Sequence, residues 1–173
     1  IEKGAAAVVD INTGKIRASV SRPDFSQSNI SGALKSEKSP MLNRVLEPYA
    51  VGSVFKLVTA TAALESGYDT EEVYECTGSI TVGGNIFNCA KKRAHGKLTM
   101  REALEVSCNC YFINLSEKIT GEKLLETAKR FGFGMETALA DGILSDSGIL
   151  PKEQDLTSAA AAANFAFGQG EFT

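Results

Sequence analysis

Two hydroxyls, an amine and an amide stand out by their spacing. Ser53 and Lys56 lie three positions apart in Gly52-Ser-Val-Phe-Lys56, and Ser107 and Asn109 flank one cysteine in Ser107-Cys-Asn109. Residues Val54 to Leu64 are small or apolar and predict a helix that stops at Gly67. Residues three apart share a helix face, so the Ser53 hydroxyl and the Lys56 amine can meet. A serine becomes an effective nucleophile when a neighbouring base takes its proton. A lysine serves as that base when burial and the positive helix end pull its pKa below the ordinary ~10.4. The same helix end offers free N–H groups to a developing oxyanion. Ser107 can relay a proton, and Asn109 can hold a substrate amide with one donor and one acceptor. Each pair alone has a plainer account. Ser53 can be an ordinary N-cap with Lys56 in solvent, and Ser107 and Asn109 can be local caps at a helix break.

The elements that would carry these groups follow from patterning. Ala5–Val9 predicts a buried strand, Asp10 to Gly14 a turn, and Lys15–Val20 the returning strand of an antiparallel hairpin. Residues 25–49 have no clean period and predict a long loop with a short helical turn near Met41–Leu46. Gly83-Gly84 between Ser79–Val82 and Ile86–Cys89 predicts a tight hairpin. Lys91, Lys92 and Arg93 form a basic cluster, either solvated or touching an anionic polymer. Thr99-Met-Arg-Glu102 is a capping box, opening a helix that carries Ala103, Leu104 and Val106 inward. Further helices are predicted from Cys110 to Ile119, from Glu122 to Phe131 with Leu124, Leu125, Ala128 and Phe131 inward, and from Asp155 or Thr157 to Phe167.

Composition bounds the reading. The 173 residues suffice for one domain with a sizeable core. At 43% hydrophobic and 23% charged the chain is ordinary for a globular protein, and a net charge of −3 gives no footprint for nucleic acid. No apolar run approaches the ~20 residues that span a bilayer, and no signal-peptide pattern is present. A start at Ile1 is what an excised piece would show, its targeting segment lying elsewhere. Cys76, Cys89, Cys108 and Cys110 include no Cys-x-x-Cys pair, and His95 is the sole histidine, so the spacing points to no metal site. Cys76 and Cys89 flank the second hairpin and either pair in an oxidising compartment or pack as free thiols.

Taken together, Ser53-x-x-Lys56 and Ser107-x-Asn109 resemble the penicilloyl-serine transferases, whose third motif is Lys-Thr-Gly. Much more of the chain is similar to the transpeptidase domain of class B penicillin-binding proteins. The likeness runs through Val8-Val-Asp-Ile-Asn-Thr-Gly-Lys15, Ser21-Arg-Pro-Asp-Phe25, Asn43-Arg44, Glu47-Pro-Tyr49, His95-Gly96, Tyr111-Phe112, Phe131-Gly-Phe-Gly134 and Gly168-Gln-Gly170. Val51 stands where many relatives have proline. The resemblance implies an α/β (α+β) fold with helices packed on an antiparallel sheet, and no cofactor. It implies that Ser53 attacks the D-Ala-D-Ala amide of a peptidoglycan stem peptide, with Lys56 as base, and that β-lactams acylate the same serine. A neighbouring stem amine then completes a cross-link outside the cytoplasmic membrane. No Lys-Thr-Gly or Lys-Ser-Gly occurs, so residues 1–173 are expected to be the N-terminal and central part of one transpeptidase domain. Without the missing strand one oxyanion donor is lost, costing ~10²–10³ in rate, and this piece alone should be nearly inactive. Its open sheet would need the missing half or another copy to cover it. A serine β-lactamase, a β-lactam-binding sensor and an enzymatically dead module are the rivals. A β-lactamase needs a base for a deacylating water, and Glu153 is the sole weak candidate in the loop.

Overall fold

The computed structural model describes residues 2–170, 172 and 173. In chain order the strands are β1 (Gly4–Val9), β2 (Ile16–Arg22), β3 (Tyr74–Cys76), β4 (Ser79–Val82), β5 (Asn85–Asn88), β6 (Gly96–Leu98), β7 (Ala138–Ala140) and β8 (Ile143–Leu144). The helices are α1 (Ile30–Lys35), α2 (Lys56–Glu65), α3 (Met100–Glu105), α4 (Asn109–Ser116), α5 (Gly121–Arg130) and α6 (Ala159–Ala166). Among the described residues the strands form four antiparallel pairs, β1–β2, β3–β6, β4–β5 and β7–β8, rather than one continuous sheet. Among the described residues no helix is long and apolar enough to cross a membrane. The chain divides into two compact units, residues 1–48 with 136–147, and residues 49–135 with 148–173.

In the first unit, Asp10 organises the β1–β2 turn. Its Oδ1 accepts from the Asn12 and Thr13 amides at 3.1 and 3.0 Å, and Gly14 takes φ 69°. The hairpin has the expected strands, but β1 is not buried: Val8 is 58% exposed, because a two-stranded ribbon supplies no second layer. The predicted structureless stretch holds a helix, α1, capped by Asn29, whose side chain accepts from Gly32 N at 3.0 Å. The helical turn expected near Met41–Leu46 is absent, and those residues form non-helical turns. Arg44 pins them by donating to the Lys38 and Ser39 carbonyls at 2.8 and 3.1 Å. The β7–β8 hairpin completes this unit.

The second unit is a helical cluster with two small strand pairs. α4 is apolar around most of its circumference, with Cys110, Tyr111, Phe112, Ile113 and Leu115 buried, and so occupies the centre. α2 and α6 lie against it, and α5 packs on α2. Ala60, Ala62 and Ala63 of α2 keep that helix slim enough for close neighbours. The β4–β5 hairpin turns at Gly83 and Gly84, both at positive φ, and lies against α4 and α6. The capping box opens α3, with Glu102 accepting from Thr99 N at 2.8 Å.

Two inward assignments fail for the same reason. α3 ends at Glu105 and α5 at Arg130, so Val106 and Phe131 fall past the helical register and are 45% and 52% exposed.

Beneath the N-terminus of α2, Phe55 is buried against the rings of Phe133, Phe165 and Phe172, with centroids 4.6–5.5 Å apart. Gly168 closes this region. Gly52 N donates to Gly168 O at 3.1 Å, and a Cβ on Gly168 would lie 1.8 Å from the Gly52 carbonyl oxygen. Thr59 Oγ1 adds a 2.6 Å bond to the Ala166 carbonyl.

Candidate active site

The nucleophile candidate sits on a tight turn. Gly52–Phe55 form one 3-10 turn that runs directly into α2, whose first residue is Lys56. Ser53 therefore precedes the helix by one turn, with its side chain exposed. Lys56 points inward and is only 1% exposed. Its Nζ lies 3.1 Å from Ser53 Oγ.

The second motif meets the same amine. α3 ends in a reversal in which Ser107 N donates to Leu104 O and Cys108 N to Ala103 O, at 3.1 and 2.9 Å. Such a helix end usually places glycine in the left-handed region. Here Ser107 occupies it, at φ 52°. A non-glycine residue there costs on the order of 1–2 kcal/mol. The turn directs both oxygens of Ser107 at Lys56: Nζ donates to Ser107 O and to Ser107 Oγ, each at 2.8 Å. Asn109 Oδ1 accepts a fourth contact at 2.7 Å, and Asn109 Nδ2 donates to the Asn88 carbonyl at 3.1 Å.

All four residues singled out by spacing thus share one site. Asn109 makes one contact inside the protein through its acceptor and one through its donor, which leaves a second lone pair and a second N–H for other partners. Its amide links the β5 end to Lys56. Asn88, the other end of that link, had no distinguishing sequence signal. Gly52 N, at the helix end expected to offer free donors, is already taken by Gly168 O.

Burial pushes the Lys56 pKa down from its ordinary value, opposed by nearby Cys108 and Cys89. A neutral amine can take the Ser53 proton, whereas an ammonium can only donate. Lowering the pKa enlarges the neutral fraction at neutral pH. The arrangement is a buried amine in hydrogen-bond reach of two exposed residues' hydroxyls, Ser53 and Ser107. That suits acyl transfer, where one proton must leave an attacking oxygen and another must reach a leaving group. A cavity of about 470 Å³ elsewhere in this unit, lined by Leu150, Phe165 and Phe172 among others, includes none of these four residues.

A family model described as the penicillin binding protein transpeptidase domain matches residues 4–173. The chain belongs to the penicillin-binding protein transpeptidase family. It is similar to the stage V sporulation protein D of Bacillus subtilis (34% identical over 169 residues, 95% of this chain and 25% of that protein). It is also similar to the peptidoglycan D,D-transpeptidase FtsI of Escherichia coli (30% over 171 residues, 98% of this chain and 28% of that protein). Among solved structures, the D,D-transpeptidase domain of a peptidoglycan glycosyltransferase from Eggerthella lenta aligns with a TM-score of 0.85 at 29% identity, covering 96% of this chain and 42% of that one. The penicillin G acyl-enzyme complex of penicillin-binding protein A from Mycobacterium tuberculosis aligns at 0.86 and 25% identity, covering 98% and 42%. This transpeptidase-family chain therefore spans about a quarter of the length of these two curated relatives. The mixed α/β fold agrees with these neighbours, and the helices lie against antiparallel strand pairs as the resemblance implied.

Proposed function

We propose that the protein containing this chain is a peptidoglycan D,D-transpeptidase working through an acyl-serine, and a covalent target of β-lactams. Ser53 is the nucleophile, Lys56 the base, Ser107 the proton relay and Asn109 the group that orients the amine. The observation that carries this reading is the Lys56 Nζ held 3.1 Å from Ser53 Oγ and 2.8 Å from Ser107 Oγ. The neutral amine accepts the Ser53 proton as the oxygen bonds to the penultimate D-alanine carbonyl carbon of a stem peptide. The amide C–N bond then breaks, and the departing D-alanine nitrogen gains a proton through Ser107. An amine from a neighbouring stem attacks the ester and returns Ser53 to its starting state.

The family membership supports the substrate class. The penicillin G acyl-enzyme complex of a structural neighbour supports the β-lactam reading. On this reading residues 1–173 are the N-terminal and central part of one transpeptidase domain, and a Lys-Thr/Ser-Gly strand is supplied by sequence outside them. The domain works at the extracytoplasmic face of the bacterial membrane, anchored by a segment these residues do not include.

The test is mass spectrometry of the full-length protein after exposure to benzylpenicillin. The expected result is a single penicilloyl adduct on the peptide containing Ser53, absent from Ser53→Ala. A folded protein with no adduct, or one labelled at another residue, overturns the assignment.

A further inference from the structure

Beneath the Ser107-Cys-Asn109 turn, four residues from separate segments converge. Cys76 ends β3, Cys89 follows β5, His95 precedes β6, and Cys108 lies between α3 and α4. Their ligand atoms all lie within 4.8 Å of one another. The Cys76 and Cys89 sulfurs are 3.6 Å apart, Cys89 and Cys108 3.7 Å, and Cys76 Sγ lies 3.6 Å from His95 Nδ1. All four cysteines are free thiols. A zinc ion with bonds of ~2.3 Å to sulfur and ~2.0 Å to nitrogen sets its tetrahedral ligand atoms roughly 3.5–3.8 Å apart. The three distances match those edges. The sequence has no closely paired ligands, yet the fold brings widely spaced ones together, so the spacing argument against a metal does not hold.

We propose that Cys76, Cys89, His95 and Cys108 bind one zinc ion, and that this ion braces the second motif. Three thiols and one imidazole form a closed, redox-silent set of the structural type. Binding releases the thiol protons to solvent and changes no oxidation state. Cys110 stands outside the set. Its backbone N–H donates to Cys89 Sγ at 3.5 Å, the kind of amide contact that supports a bound thiolate. The placement gives the ion its role. Cys108 separates Ser107 from Asn109, and Cys89 follows Asn88, whose carbonyl receives the Asn109 amide. An ion joining Cys89 to Cys108 therefore fixes both ends of that link and holds the left-handed turn at Ser107.

The test uses the full-length protein, purified under reducing conditions and assayed for metal by mass spectrometry. The expected content is about one zinc per chain, and Co²⁺ added to stripped protein should give thiolate charge-transfer bands and the intense visible spectrum of a tetrahedral site. Cys108→Ser and the half-buried His95→Ala should each lose the metal, while Cys110→Ser keeps it. Stripping the ion should speed hydrogen exchange at the Cys108 and Cys110 amides about tenfold or more. Reduced, folded wild type that takes up neither zinc nor cobalt overturns the site. Full binding by folded His95→Ala and Cys108→Ser overturns the ligand set, and unchanged exchange after stripping overturns the bracing role. None of these failures touches the Ser53 adduct, so the two readings fail separately.

Discussion

At the scale of single residues, the site rests on one amine with four oxygen neighbours. Because burial lowers the Lys56 pKa, the neutral base appears at lower pH than for a free lysine. The rate of penicillin acylation should therefore rise with pH along a limb centred below ~10.4. A limb at the ordinary lysine value, seen in stopped-flow acylation across pH, would remove Lys56 from the base role. Ser107 makes a separate prediction, since it holds a conformation better suited to glycine. Ser107→Gly should leave stability unchanged or raise it by about 1 kcal/mol, while slowing acylation on the order of 10²-fold. A thermal melt and an acylation assay on the same sample check both halves, and a variant with normal acylation would end the relay assignment. The Ser53–Lys56 pair was legible in the sequence because one helical turn sets its geometry. The left-handed Ser107 was not, because no local pattern marks a non-glycine residue in that region.

At the scale of elements, short-range chemistry was the legible part. Gly83-Gly84, the Asp10 turn and the Thr99–Glu102 box each state their geometry within a few residues, and each is found. Errors arose where register ran past a helix end, as at Val106 and Phe131. They also arose where polar neighbours hid a short helix, as at Ile30–Lys35. The metal ligands were illegible for another reason: four segments supply them, and only tertiary packing sets their distances. Gly168 shows the same lesson for backbone. Its strict requirement comes from Gly52, far away in sequence. Gly168→Ala should destabilise the protein by about 3 kcal/mol or more, since neither backbone can yield without breaking the Gly52–Gly168 hydrogen bond. Denaturant unfolding measures it, and a loss below about 1 kcal/mol would mean the contact is soft.

At the scale of the whole molecule, ion pairs tie distant elements of the second unit together. Glu65 at the end of α2 accepts from Arg130 Nη1 at 2.6 Å and lies 3.0 Å from Lys123 Nζ, both on α5. The Arg130 and Lys123 contacts hold its pKa down at about 2 against an ordinary 4.5. A carboxylate whose folded pKa is depressed stabilises the fold above its unfolded value and loses that contribution as pH falls through the folded one. The difference in melting temperature between wild type and Glu65→Gln should therefore be full above about pH 5 and shrink towards pH 2. A difference that stays constant across that window would show that Glu65 acts by packing rather than charge.

The clasp between Gly52 and Gly168 also has a temporal meaning. A ribosome delivers the amino end first, so the loop bearing Ser53 emerges long before the glycine that seats it. Until that late residue arrives, the turn lacks its backbone brace. Its aromatic floor is completed by Phe165 just before that glycine and Phe172 just after it. The turn at Gly52 thus gains its backbone brace only after most of this segment has been made.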